Sequence, residues 1–123
     1  MKQLLVVFLG GGMGSALRYF VSSAFVKNTF LSAPMGTFYA NILGCFCLGI
    51  ILNLFDKGQI SENLRLLLAV GFCGGLTTFS TLIFEIGSIF QAESLLKASL
   101  ALLLHLVFGL LAMYLGGKLA EVV

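Results

Sequence analysis

Charge is the scarcest commodity in this sequence: 10% of its 123 residues are Asp, Glu, Lys or Arg, against about 25% in an ordinary soluble domain. Tryptophan is absent, and there is a single proline and a single histidine. With 59% apolar residues and a mean hydropathy of +1.10, too little polar surface remains to dissolve a globule. One histidine and three cysteines, Cys45, Cys47 and Cys73, all inside apolar runs, leave no plausible metal cluster and no nucleophile–base pairing. Cys45 and Cys47 are two apart, so on a helix they point to different faces and read as small packing residues. These absences exclude a soluble enzyme and predict a membrane protein of one domain, residues 1–123.

What is present is four apolar runs at 4–25, 35–55, 66–90 and 98–117, each near the ~20 residues that cross a bilayer as a helix. Lys2 before the first run has the look of a signal peptide, but three more spans follow, and the expectation is an uncleaved first span. The predicted fold class is therefore all-α, with four transmembrane helices. Both termini and the middle loop then share one side, carrying Lys2, Lys57, Arg65 and Lys118; the other carries Lys27 and Lys97, with Arg18 if it snorkels outward. Orientation follows the Lys/Arg excess, and this excess is small. A chain so weakly instructed inserts both ways up, which predicts an antiparallel, dual-topology dimer about a two-fold axis in the membrane plane, the symmetry that fused inverted repeats achieve in larger transporters.

Polar residues at membrane depth are costly and usually face a cavity or a partner. Span one carries Gly10 to Tyr19, in which Gly10 and Gly14 have the small-xxx-small spacing that lets backbones approach closely. The run lacks the spacing of a phosphate-binding loop. Arg18 reads either as a snorkelling anchor or as a positive charge at a water-filled vestibule. Span two places Asn41 about two turns in, an amide that can hold a dehydrated anion by donation without a trapping charge, or simply join two helices.

Span three is unusual. Gly74-Gly75-Leu76-Thr77-Thr78-Phe79-Ser80-Thr81 makes a poor stretch of helix, because each Gly costs ~1 kcal/mol relative to Ala, and a break is expected near residues 74–78. Backbone carbonyls freed at this depth face protein, water or an ion. Doubled by a two-fold axis, they form a ring suited to Na⁺. Phe79 can offer an anion the partly positive edge of its ring, or lie against lipid or core. Glu85 closes the run as a vestibule group or an anchor. His105 in span four reads as a satisfied interior residue rather than a ligand.

Together these stretches resemble the Fluc/CrcB family of small fluoride channels. The resemblance rests on Gly10 to Tyr19, on Gly36-Thr37 with Asn41, Gly44 and Gly49, and above all on Gly74 to Thr81. It implies an antiparallel dimer with two fluoride pores and a structural Na⁺ held by the backbone carbonyls of Gly74 and Thr77. It makes Asn41 the pore amide, Arg18 the vestibule arginine and Phe79 the first of two phenylalanines whose edges face the ions. Ser80 and Thr81 match hydroxyls along the path, and Glu85 an acidic position beyond the break. The second phenylalanine position is Leu82 here. Either that ring is dispensable, or Leu82 is an altered residue, or the chain is half of a heterodimer with a paralogue. The implied activity is passive fluoride export through the cell membrane by a multi-pass channel that confers fluoride resistance. The rivals are a small multidrug-type proton-coupled exporter, disfavoured by the lack of an acid in span one, and a non-conducting subunit.

Overall fold

The computed structural model describes residues 1–25, 27–30 and 33–122. Four helical stretches are long and apolar enough to cross a bilayer: Lys2–Ala24, Met35–Asp56, Glu62–Ala92 and Leu95–Val122. The chain is a multi-pass membrane protein. The first, second and fourth are continuous helices, α1 (Lys2–Ala24), α2 (Met35–Asp56) and α6 (Leu95–Val122). The third is composite. It starts as α3 (Glu62–Arg65), capped by Ser61 Oγ accepting from Leu64 N at 3.3 Å. It then winds through Leu66–Cys73 as a π-helix, returns to α4 (Gly74–Leu76) and ends as α5 (Phe79–Ala92). A π-helix of eight residues is rare, and wide turns of this kind concentrate at functional sites. Between α1 and α2 a two-residue strand β1 (Thr29–Phe30) pairs antiparallel with β2 (Ala33–Pro34), an element absent from the sequence reading.

Glycines decide how these helices meet. The Gly10 and Gly14 pair lies directly against the third stretch: a Cβ at Gly10 would overlap the Leu67 carbonyl oxygen, and one at Gly14 that of Phe72. Gly71 and Gly75 answer from the other side, against Val7 and Gly11. In lipid no apolar driving force separates helix from tail, so such close backbone contact is a main source of association. The α2–α6 pair repeats the device, with Gly49 against Met113 and Gly116 against Phe46. Lys57, just past α2, donates to the Ala120 carbonyl at 2.7 Å and ties the ends of that pair together. Pairs of opposite charge, Arg65–Glu62, Lys97–Glu93 and Lys118–Glu121, decorate exposed helix ends, where solvent screens them and they add little to stability.

Candidate ion pathway

Thr77 (φ −81°, ψ 154°) and Thr78 (φ −149°, ψ 115°) are extended, between the end of α4 and the start of α5. The hydrogen bonds around them explain how two extended residues are held within an apolar span. Asn41, on α2, accepts from Thr78 N–H through Oδ1 at 2.8 Å and donates through Nδ2 to the Thr78 carbonyl at 3.3 Å. Its amide thus pairs with both backbone groups of one residue much as a neighbouring strand would, leaving one of its two N–H groups uncommitted among the described residues. Thr78 Oγ1 caps α5, accepting from Thr81 N at 3.3 Å, and lies 2.9 Å from Thr81 Oγ1 and 3.4 Å from Ser80 Oγ. Thr77 Oγ1 donates back to the Cys73 carbonyl at 2.9 Å. Gly44 leaves room for this residue, since a Cβ there would overlap the Thr77 methyl group.

The Gly74 and Thr77 carbonyls are among those that lose their helical partners at this break. In an unbroken helix Gly74 C=O would accept from Thr78 N–H, and Thr77 C=O from Thr81 N–H. The first N–H is given to Asn41 and the second to the Thr78 hydroxyl. No group of three or more His, Cys, Asp or Glu capable of holding a metal occurs among the described residues.

A cavity of about 340 Å³ brings Asn41, Gly74, Thr77, Phe79 and Leu82 together, and His105 also lines it. Phe79 is 74% exposed in the single chain, and Ser80, Thr81 and Gly74 are exposed beside it; Leu82 is 5% exposed and packs inward. Hydroxyls on an outer face at mid-span make poor lipid contacts. Glu85 stands further along α5, lining a separate cavity, and accepts from Thr37 Oγ1 at 2.5 Å while its Oε2 is buried with no partner among the described residues. Arg18 is half-buried on α1 and is not brought to the Asn41 cavity. His105 is buried, with Nδ1 3.0 Å from the Ala101 carbonyl and its ring edge-on to Phe38 at 5.1 Å; its Nε2 lacks a partner among the described residues.

Sequence reasoning assigned no role to Thr37 and none to Thr78. Thr37 lies four residues before Asn41, hence on the same face of α2, and Thr78-x-x-Thr81 is a helix-start pattern. Both signals were readable, but their partners on another helix were not.

A family model described as CrcB-like protein, Camphor Resistance (CrcB) matches residues 5–117. The chain belongs to the CrcB-like family. Relatives of this CrcB-like chain include a fluoride-specific ion channel from Azobacteroides pseudotrichonymphae, 38% identical over 122 residues and covering 98% of both chains. One from Prosthecochloris aestuarii is 42% identical over 98% of this chain and 94% of its own. Another, from Phocaeicola vulgatus, reaches 47% over 81 residues, 66% of this chain and 67% of its own. The family is one of ion channels, so the CrcB-like chain is a transporter rather than an enzyme.

Proposed function

We propose that this chain is a passive, fluoride-selective channel of the cell membrane. Each copy is a single four-span domain, and two copies work in opposite orientation as a dimer. The observation that carries the reading is the near end-to-end similarity to proteins named as fluoride-specific ion channels. The exposed face of Phe79, Ser80 and Thr81 supports the dimer, because a second copy would remove those hydroxyls from lipid.

Fluoride is small and tightly hydrated, and burying such an ion uncompensated costs of the order of tens of kcal/mol. The pathway replaces water with the uncommitted Asn41 N–H, the Ser80 and Thr81 hydroxyls and the edge of Phe79, beside Leu82. None of these carries a fixed charge, so no step binds the ion too tightly to release it. Arg18 and Glu85 belong to the wider vestibules, where Arg18 raises the local anion concentration. The carbonyls of Gly74 and Thr77, relieved of their helical N–H groups, fit the requirements of a structural Na⁺ at the dimer centre. The chemistry such an ion supplies is a fixed positive charge that satisfies carbonyls which would otherwise stand unpaired in a dry interior.

Fluoride efflux from liposomes, read with a fluoride electrode, tests the reading. Purified protein releases fluoride with no pH gradient, and Phe79→Ile releases it more slowly. Absence of flux from well-inserted dimer overturns the proposal, and flux only under a pH gradient favours a coupled exporter. Leu82 keeps one second reading in play, a heterodimer half; a homogeneous sample silent alone and active with a paralogue would establish it.

A further inference from the structure

We infer that Asn41 is a positioning residue for the cation site as well as a lining group of the anion path, and that it makes the carbonyl site by capturing Thr78 N–H. The inference rests on the proposed channel reading and deepens it. Helix geometry gives Thr78 N–H a default acceptor, the Gly74 carbonyl one turn back. If that bond formed, α4 would run on, Gly74 C=O would be consumed, and Thr78 would adopt helical torsions instead of φ −149°, ψ 115°. Asn41 Oδ1 competes for the same N–H and holds it at 2.8 Å, while Nδ2 meets the carbonyl of the same residue at 3.3 Å.

Both contacts fall on one peptide-bearing residue, so the amide fixes its orientation as well as its position. α2 holds Asn41 in place through neighbours on the same face: Gly44 seats the Thr77 methyl group, and Thr37 donates to Glu85 one turn earlier. The same logic operates once more within α5, where Thr78 Oγ1 takes Thr81 N–H from the Thr77 carbonyl. Asn41 and the Thr78 hydroxyl therefore each liberate one of the two carbonyls. Loss of the Asn41 acceptor returns Thr78 N–H to Gly74 and removes a cation ligand, even though Asn41 itself touches no cation.

The test reads cation binding separately from flux. Thermal midpoints of the purified dimer are measured in sodium and in an equal concentration of N-methylglucamine. A ligand that binds only the folded state raises the midpoint by mass action. The wild-type chain shows a sodium-dependent rise, and Phe79→Ile keeps it while its fluoride flux falls. Asn41→Ala loses the sodium-dependent rise, whereas Asn41→Asp keeps it, because an Asp oxygen accepts Thr78 N–H as Asn41 Oδ1 does. A merely structural Asn41 would lower both midpoints equally and leave their difference intact, and that outcome overturns the inference. Loss of the difference in both Asn41→Ala and Asn41→Asp overturns it too. Should Asn41→Ala fail to fold, the nearly isosteric Asn41→Leu serves in its place, since it too lacks the acceptor for Thr78 N–H and should likewise abolish the rise. An unchanged rise in Asn41→Leu counts against the inference. Wild-type protein that conducts fluoride but shows no sodium effect refutes the cation site and this inference while leaving the channel reading standing; protein that does not conduct refutes the channel reading itself.

Discussion

Gly14→Ala and Gly12→Ala form the sharpest test of how the first and third stretches are joined. Both residues lie in α1, two positions apart, and both replacements gain up to ~1 kcal/mol of helix propensity. Their surroundings differ. A Cβ at Gly12 meets nothing within 4 Å, whereas one at Gly14 overlaps the Phe72 carbonyl oxygen and comes within 2.9 Å of Leu76 N. Overpacking costs about 1–3 kcal/mol, and the upper end applies here because the obstructing atoms are backbone and cannot rotate away. Gly14→Ala should therefore lose about 2 kcal/mol net, and the two variants should differ by about 3 kcal/mol. At roughly 4 °C per kcal/mol for a chain of this size, the gap in thermal midpoint is about 12 °C. Size-exclusion chromatography after heating in detergent reads it directly. Displacing α1 also strains the 3.5 Å contact from Ser15 Oγ to the Gly75 carbonyl, next to the extended residues, so fluoride flux should fall with stability. Equal midpoints for the two variants would refute the claim that backbone-on-backbone contact at Gly14 holds α1 in place.

Three further expectations follow from the site and the topology. Thr37→Val removes the donor to Glu85 Oε1 and leaves both carboxylate oxygens without a described partner, so stability should drop by about 1–3 kcal/mol; an unchanged midpoint would show that the bond contributes nothing. Leu82→Phe places a larger side chain where Leu82 is almost wholly buried, which should cost about 1–3 kcal/mol in thermal stability, and a variant as stable as the original would mean that the cavity absorbs the ring. Single-cysteine labelling at Gln59, in a cysteine-free background, should reach the α2–α3 turn from both faces of intact cells. Adding lysines to that turn should drive the chain into one orientation and abolish activity as a homodimer; labelling from one face only in the original chain would sink the dual-topology reading.

The sequence by itself determined the solvent and the number of crossings. Those depend on transfer free energy, which adds up residue by residue along 4–25, 35–55, 66–90 and 98–117 regardless of what packs where. It also pointed to where polarity and backbone irregularity concentrate, because Gly10, Gly14, Asn41 and the run Gly74 to Thr81 stand out against an apolar background. The tertiary structure alone decided how those residues are used. Nothing in Leu-Leu-Leu-Ala-Val-Gly-Phe-Cys marks residues 66–73 for π winding, and β1 pairs with Ala33–Pro34, residue types that strands disfavour. Asn41 reaches Thr78 rather than another neighbour only because α2 sits in one rotation and register against the break in the third stretch, where Gly44 makes room for Thr77. The same register sends Phe79 outward and Leu82 inward although they are three residues apart. The Gly74 carbonyl is free of its helical partner because an acceptor on another helix, Asn41 Oδ1, wins the Thr78 N–H.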